Sequence, residues 1–236
     1  REAHHIRMLY AEKITMVDKW LGKVLDRLKE LDLYEDTLIV FISDHGQPLG
    51  NGEHGHGIMR KCRPWPYEEL VHIPLIIRHP EGIKGRVSSL VQTVDIAPTV
   101  MDFLKVTEKA EQMQGKSLLP LMRGEVEKVR DFAISGYFNF SWSIITEDWS
   151  YINWLDAKDI NDPRKIMSMF GFSKVEENKG IWTCTPGSVA ETPKGNELYD
   201  RRKDPFQLVN LLEKHPEIAK ELFQRMRDFM IELKTS

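Results

Sequence analysis

Asp44 and His45 stand side by side directly after an unbroken apolar run at 38–42. A carboxylate oxygen and an imidazole nitrogen are donors that one divalent cation accepts together, and Gly46 lets the backbone turn sharply beside them. Two donors make half of a metal site. The next stretch adds His54, His56 and Lys61 within Gly52-Glu-His-Gly55 and its continuation. Glycines at 50, 52, 55 and 57 suggest a phosphate cradle, but a Walker loop would need Gly at 60 and Ser or Thr at 62. Arg60 and Cys62 stand there instead, so that reading fails.

The elements that must hold these residues follow from periodicity. Residues 38–42 are apolar throughout and rich in branched side chains, as in a strand buried on both faces of a parallel sheet, and open α/β sheets bind ligands at the carboxyl ends of such strands. Upstream, apolar residues recur with helical spacing over 6–31, which predicts an amphipathic helix with a core face. Residues 73–78 predict a second buried strand and 90–93 a weaker third. At 95–104, Asp95 is placed to cap a helix that tolerates Pro98 in its first turn. This alternation predicts a parallel α/β sheet.

Beyond Gly115 the pattern changes. Residues 116–125 read as a connection, and 132–137, 142–146 and 151–154 as short aromatic-rich strands of an antiparallel meander. Residues 156–194 read as an insertion rich in turn signals. A strand at 197–199 then precedes a helix at 216–233 that starts on Pro216 and carries one broad apolar face. The expected division is 1–130, an α/β portion, and 131–236, a small antiparallel sheet plus the last helix.

Composition narrows the function classes. With 33 basic and 36 acidic residues the net charge is −3, so no global positive field points to nucleic acid or an anionic membrane. The two cysteines, Cys62 and Cys184, form neither a disulfide framework nor zinc-ligand spacing. No apolar run reaches the roughly 18 residues of a membrane span, and the start carries no secretory signal pattern. The chain opens on Arg1 without an initiator Met. It therefore reads as a piece of a longer protein whose targeting signal is not observable, and its location is left open. Asn139-Phe-Ser141 fits a glycosylation tripeptide, a pattern too common to carry weight.

Several blocks occur together in order: Ser43-Asp-His-Gly46, Gly52-Glu-His-Gly55, Lys61, Tyr67-Glu-Glu69 leading into Ile73-Pro-Leu-Ile-Ile77, and Val94-Asp-Ile-Ala-Pro-Thr99. Gly115-Lys-Ser117 through Glu125, the run from Glu197 to Pro205, and Asn210-Leu211 continue the series. Together they resemble the later part of a sulfatase of the alkaline-phosphatase superfamily, over nearly the whole chain except 156–194. The resemblance implies that superfamily's α/β fold, with a small antiparallel α+β subdomain at the carboxyl end.

For function, the resemblance implies metal-dependent hydrolysis of sulfate monoesters. Asp44 and His45 match the metal-ligand pair, although many members have Asn at the second position. Asp-His also occurs in relatives that cleave phosphonate monoesters and phosphodiesters, which keeps that chemistry as an alternative. Lys61 matches the lysine that touches the sulfuryl oxygens, where a positive charge offsets charge on the transferring group. Two extra residues between Lys61 and Tyr67 leave Arg60 as a substitute. His54 is the second catalytic candidate, placed to approach the sulfate. Calcium is the first expectation for the metal, with manganese, magnesium or zinc open.

The family's nucleophile is a formylglycine made from cysteine in a Cys-x-Pro-x-Arg signature. Cys62-Arg-Pro-Trp-Pro66 begins that way but ends in Pro66 and follows the metal pair, so it reads as coincidence. The formylglycine is expected upstream of this chain, and the fragment alone is expected to be inactive. His4 and His5 lie too near the start to assign. Aromatic residues over 138–154, with Trp182, are expected to shape the organic part of the pocket. The expected partners are a small sulfated organic or carbohydrate substrate and, through apolar surface left uncovered, a second copy in a homo-oligomer. A non-catalytic binding module is the reading from a different class.

Overall fold

The computed structural model describes residues 2–50, 56, 65–107, 113–137, 141–154 and 195–233. The elements are α1 (Glu2–Glu30), β1 (Ile39–Ile42), α2 (Glu68–Val71), β2 (Leu75–Arg78), a 3-10 turn (Thr93–Asp95), α3 (Ile96–Phe103) and α4 (Leu119–Met122). They continue with β3 (Ala133–Tyr137), β4 (Ser141–Ile145), β5 (Trp149–Trp154), β6 (Glu197–Asp200) and α5 (Pro216–Glu232). Two compact units result, one from 1–45 with 73–133 and the other from 46–72 with 134–236. Among the described residues no helix is long and apolar enough to cross a membrane.

In the first unit α1 ends as a helix with a left-handed closing residue does. Asp32 takes φ +55°, and the Leu33 amide donates back to the Leu28 carbonyl at 2.9 Å, which satisfies a carbonyl the helix end would leave open. The chain then enters β1, which pairs with β2 in the register Ile39 to Arg78 and Ile42 to Leu75. Arg78 secures this pair from its far end. Its guanidinium donates to the Glu35 carboxylate at 2.7 Å and the Thr37 carbonyl at 3.1 Å, and lies 4.2 Å over the Tyr34 ring.

Helices and strands alternate here as the α/β reading requires, but β1 and β2 run antiparallel, not parallel. The physical reason is the connection. A parallel crossover is normally carried by a helix of several turns, and among the described residues the segment from β1 to β2 contains α2 alone, of four residues. The expected third strand at 90–93 is also absent, for the chain there leads into the 3-10 turn and α3.

Asp95 does not cap α3 with its side chain. Wholly buried, it accepts the amides of Gln92 at 2.7 Å and Lys116 at 2.9 Å and takes both prongs of the Arg130 guanidinium. One carboxylate thus ties together three segments. Gly115 lies against the same turn, where a Cβ would meet the Val94 carbonyl oxygen at 1.8 Å. Thr99, also buried, donates to the Asp95 carbonyl at 2.6 Å and accepts the Leu118 amide at 2.9 Å.

The stripe on α1 departs from its expected role as a core face. Leu9, Val17, Trp20 and Val24 are 43%, 50%, 57% and 56% exposed. The apolar arc is wide. Only the side carrying Leu21, Leu25 and Leu28 is partly covered.

In the second unit the meander forms as expected, in the order β3-β4-β5-β6. β4 and β5 are antiparallel with Ile144 opposite Tyr151, and β5 and β6 with Ile152 opposite Glu197. Ile144, Ile152 and Leu198 are wholly buried, each worth about 1.5–3 kcal/mol relative to exposure. Trp65, Tyr67, Trp154 and Tyr199 pack with Ile152. Helix α5 begins on Pro216 and buries Ala219, Leu222 and Met226, one face at helical spacing. Residues 156–194, and with them Trp182, lie outside the described residues, as does Phe138.

Candidate functional site

Asp44 and His45 leave the carboxyl end of β1 as the sequence predicts. The Ser43 hydroxyl donates to the His45 carbonyl at 2.7 Å, and the His45 amide donates to Asp44 Oδ1 at 3.0 Å. These local bonds set the turn, an arrangement that short polar side chains favour. His45 Nε2 lies 3.4 Å from Asp44 Oδ2, and the Asp44 side chain is 82% exposed. Two donors bound to one cation are separated by roughly 3–3.6 Å at ordinary bond lengths and angles. The pair therefore fits a divalent ion as two of its ligands. Among the described residues no third carboxylate, imidazole or thiol joins them.

Gly46 follows at once. Its amide donates to the Leu70 carbonyl at 2.7 Å, and a Cβ would meet the Glu69 carbonyl oxygen at 2.0 Å. Only glycine fits so close to a neighbouring backbone. Gly46 is in this way fastened to α2.

Lys61 and His54, the two catalytic candidates, lie outside the described residues, and so do Arg60 and Cys62. His56 is described, in the second unit. Its Nδ1 lies 2.9 and 3.1 Å from the two Glu69 carboxylate oxygens, and its Nε2 lies 2.7 Å from the Gln207 carbonyl. Its ring stacks on Tyr67 at 3.7 Å. Burial opposes the charge, yet the Glu69 hydrogen bond, the Gln207 carbonyl and the nearby carboxylates outweigh it, so the His56 pKa sits above its ordinary value.

Behind Tyr67 lies Glu197. Both its carboxylate oxygens accept the Tyr67 hydroxyl, at 3.1 and 3.0 Å, and Trp154 Nε1 is 3.4 Å from one of them. Burial raises the Glu197 pKa above the ordinary carboxylate range against the lowering effect of these donors. On α2, Glu68 meets Arg201 Nε at 3.2 Å and His72 Nδ1 at 2.9 Å. Despite burial, the His72 hydrogen bond and the Arg201 charge hold the Glu68 carboxyl below its usual pKa. Glu68, Glu69, His72, Arg201, Pro205 and Phe206 line an open cleft of about 380 Å³.

These contacts give the later sequence blocks a structural meaning. Asn210 accepts the Leu198 and Leu212 amides at 3.1 and 3.0 Å, and Asp204 accepts the Val209 amide at 2.8 Å. The block from 197 to 211 thus folds the turn after β6 back onto the sheet. Sequence reasoning did not reach the partnership of His56 with Glu69 and Gln207, because nothing local announces it.

A model of the family described as Sulfatase matches residues 2–106, a span that contains Asp44, His45, His54 and Lys61. The N-acetylglucosamine-6-O-sulfatase of Bacteroides thetaiotaomicron is 33% identical over 182 residues, which are 69% of this chain and 31% of that protein. The chain belongs to the sulfatase family. A solved structure in complex with its substrate, D-glucosamine-2-N,6-O-disulfate, superposes on this sulfatase chain with a TM-score of 0.68 and 27% identity. The superposition covers 94% of the chain and 39% of that structure. The phosphonate monoester hydrolase of Agrobacterium radiobacter shares the fold, with a TM-score of 0.65 at 22% identity over 93% of this chain and 40% of the other. The α/β fold is that of the alkaline-phosphatase-like sulfatases. The chain spans 31–40% of the lengths of these proteins. Membership implies a divalent metal and a formylglycine in the working enzyme.

Proposed function

We propose that the enzyme to which this chain contributes hydrolyses a sulfate monoester on a carbohydrate. The observation that carries this reading is the Asp44 and His45 pair at the end of β1, inside a region matched by the sulfatase model. The 33% identical relative is by name an N-acetylglucosamine sulfatase, and one structural neighbour holds a disulfated glucosamine. Both support an amino-sugar sulfate as the first substrate to test.

Asp44 and His45 are the residues that would hold the cation, with calcium the first choice to test. A divalent ion at such a site supplies Lewis acidity, offsetting charge on the sulfuryl oxygens. Lys61 would bind those oxygens as a point charge and His54 would donate to them. The formylglycine would come from sequence beyond these 236 residues. The uncovered apolar arc of α1 supports association into a homo-oligomer, and light scattering that returned only monomer would count against it.

A second reading, hydrolysis of a phosphonate monoester or phosphodiester, is favoured by His45 standing where many sulfatases have Asn. The test is turnover of 6-O-sulfated N-acetylglucosamine, an aryl phosphodiester and an aryl phosphonate by the protein of the complete reading frame. The sulfate ester should lead by orders of magnitude, and Asp44→Asn should cost about 100-fold or more in kcat/KM. Preference for a phosphorus ester transfers the assignment to the second reading. Unchanged sulfate turnover in the Asp44 variant removes the metal role.

A further inference from the structure

A cleft of about 380 Å³ opens between α2 and the turn after β6, inside the second unit. A space of that size falls within the roughly 300–1,000 Å³ of small-molecule sites. Its two sides are tied together. Gln207 Oε1 accepts the Glu68 amide at 2.7 Å, Arg201 Nε donates to the Glu68 carboxylate at 3.2 Å, and the His56 ring sits between the Glu69 carboxylate and the Gln207 carbonyl. The Arg201 guanidinium is held in turn by the Thr146 carbonyl at 2.6 Å. Walls fixed by their own hydrogen bonds make a preformed site, which spares a ligand the cost of ordering it.

The charges in the cleft are balanced. Glu68 is matched by Arg201 and Glu69 by the His56 ring, so neither an anion nor a bare cation finds an uncompensated partner there. What is left is hydrogen-bonding capacity and one apolar surface. An ionised carboxylate offers roughly four lone-pair sites, and among the described residues Glu68 spends them on Arg201 and His72 alone. His72 turns Nδ1 to Glu68 at 2.9 Å, and its side chain is 75% exposed. Pro205 and Phe206 supply the apolar surface, with Phe206 40% exposed. Phe206 is set in place by its flanks. Pro205 restricts the chain on one side, and on the other Gln207 is buried at φ +56° with its amide donating to the Asp204 carbonyl at 3.1 Å.

We propose that this cleft binds a neutral sugar ring, with its C–H face on Phe206 and its hydroxyls donating to Glu68 and Glu69 and accepting from His72. A pyranose has the matching chemistry: one face of C–H groups, a rim of hydroxyls that both donate and accept, and no charge. A wholly apolar ligand would strip water from the carboxylates and return no hydrogen bond. A charged ligand would upset a set of charges that already cancels. N-acetylglucosamine is the sugar to expect, a choice that rests on the sulfatase reading and its amino-sugar substrate. The affinity of the cleft for a neutral sugar does not rest on that reading.

The test is saturation-transfer NMR on the full chain, titrated with N,N′-diacetylchitobiose, a neutral disaccharide of N-acetylglucosamine. Binding should be saturable with a Kd of about 1 mM, and transfer should be strongest to the C–H protons of one ring face. Phe206→Ala should weaken binding about tenfold, the effect of losing a large apolar contact. Phe206→Tyr should keep it within about threefold, and His72→Ala should weaken it about threefold. Thermal unfolding of each variant beside the parent checks the fold, and should Phe206→Ala fail to fold, His72→Ala and Phe206→Tyr decide. No saturable transfer up to about 20 mM, an affinity unchanged in both truncation variants, or displacement of the sugar by inorganic sulfate overturns the proposal. Absence of all sulfate turnover by the protein of the complete reading frame counts against the sulfatase reading, and the titration still decides the cleft.

Discussion

In the second unit the large side chains turn inward: Ile144, Ile152 and Leu198 are wholly buried, and Trp65, Tyr67, Trp154 and Tyr199 pack with Ile152. In the first unit α1 carries Trp20 and Val24 more than half exposed, and Asp44 shows 82% of its side chain to solvent. The contrast separates two kinds of stability. The meander, α5 and the aromatic pair Trp65 and Tyr67 complete an apolar core. The first unit is held instead by a polar hub around Asp95, while its apolar helix face and the Asp44 side chain are both left exposed. Both open features fit a chain that spans 31–40% of the proteins it resembles.

The largest expected effect tests whether the hub holds the first unit. Asp95 is wholly buried and Arg130 nearly so, and removing one member strands the other charge. Arg130→Ala should cost about 3–5 kcal/mol in chemical denaturation. A loss under about 1 kcal/mol would show that Asp95 finds other support and that the first unit has a different centre. Because the second unit contains neither residue, its near-ultraviolet aromatic signal should outlast that of the first unit in this variant.

A smaller effect sharpens the polar side of the second unit. Glu68, paired with Arg201 and His72, has its folded pKa held down, so its contribution is present above its ordinary value and is lost as pH falls through the folded one. Arg201→Met should cost about 1.5 kcal/mol near neutral pH, since Arg201 also donates to the Thr146 carbonyl at 2.6 Å. The same variant should lose less of its remaining stability between pH 5 and 3.5 than the parent does. Parallel acid profiles for the two proteins would remove Arg201 as the cause of the Glu68 shift.

How much of this was legible depends on the distance between partners. Helix α5 and strands β4, β5 and β6 follow local periodicity and turn residues, and they form within a residue or two of their expected places. Asp44 and His45 were legible as a turn after a strand for the same reason, although β1 is half-buried and not covered on both faces as its apolar run suggests. Asp95 was not, because a carboxylate that looks like a helix cap is claimed by Arg130, 35 residues away. The antiparallel pairing of β1 with β2 was hidden because hydrophobic runs specify a strand without its direction. His56 was hidden most fully, with partners 13 and 151 residues distant.

The smallest expected effect decides whether the openness of the first unit is real in solution. Trp20 and Val24 lie on the uncovered arc of α1, so replacing each with Gln removes apolar surface that this chain does not bury. At a concentration where sedimentation shows only monomer, each change should shift stability by no more than about 0.5 kcal/mol. At higher concentration the double variant should self-associate less than the parent by sedimentation. A loss of about 2 kcal/mol or more from either single change, the size expected for a truncated core residue, would mean that the arc is buried within the monomer. The contrast between the two units would then vanish, since both would be closed by their own side chains, and the argument for a partner surface on α1 would go with it.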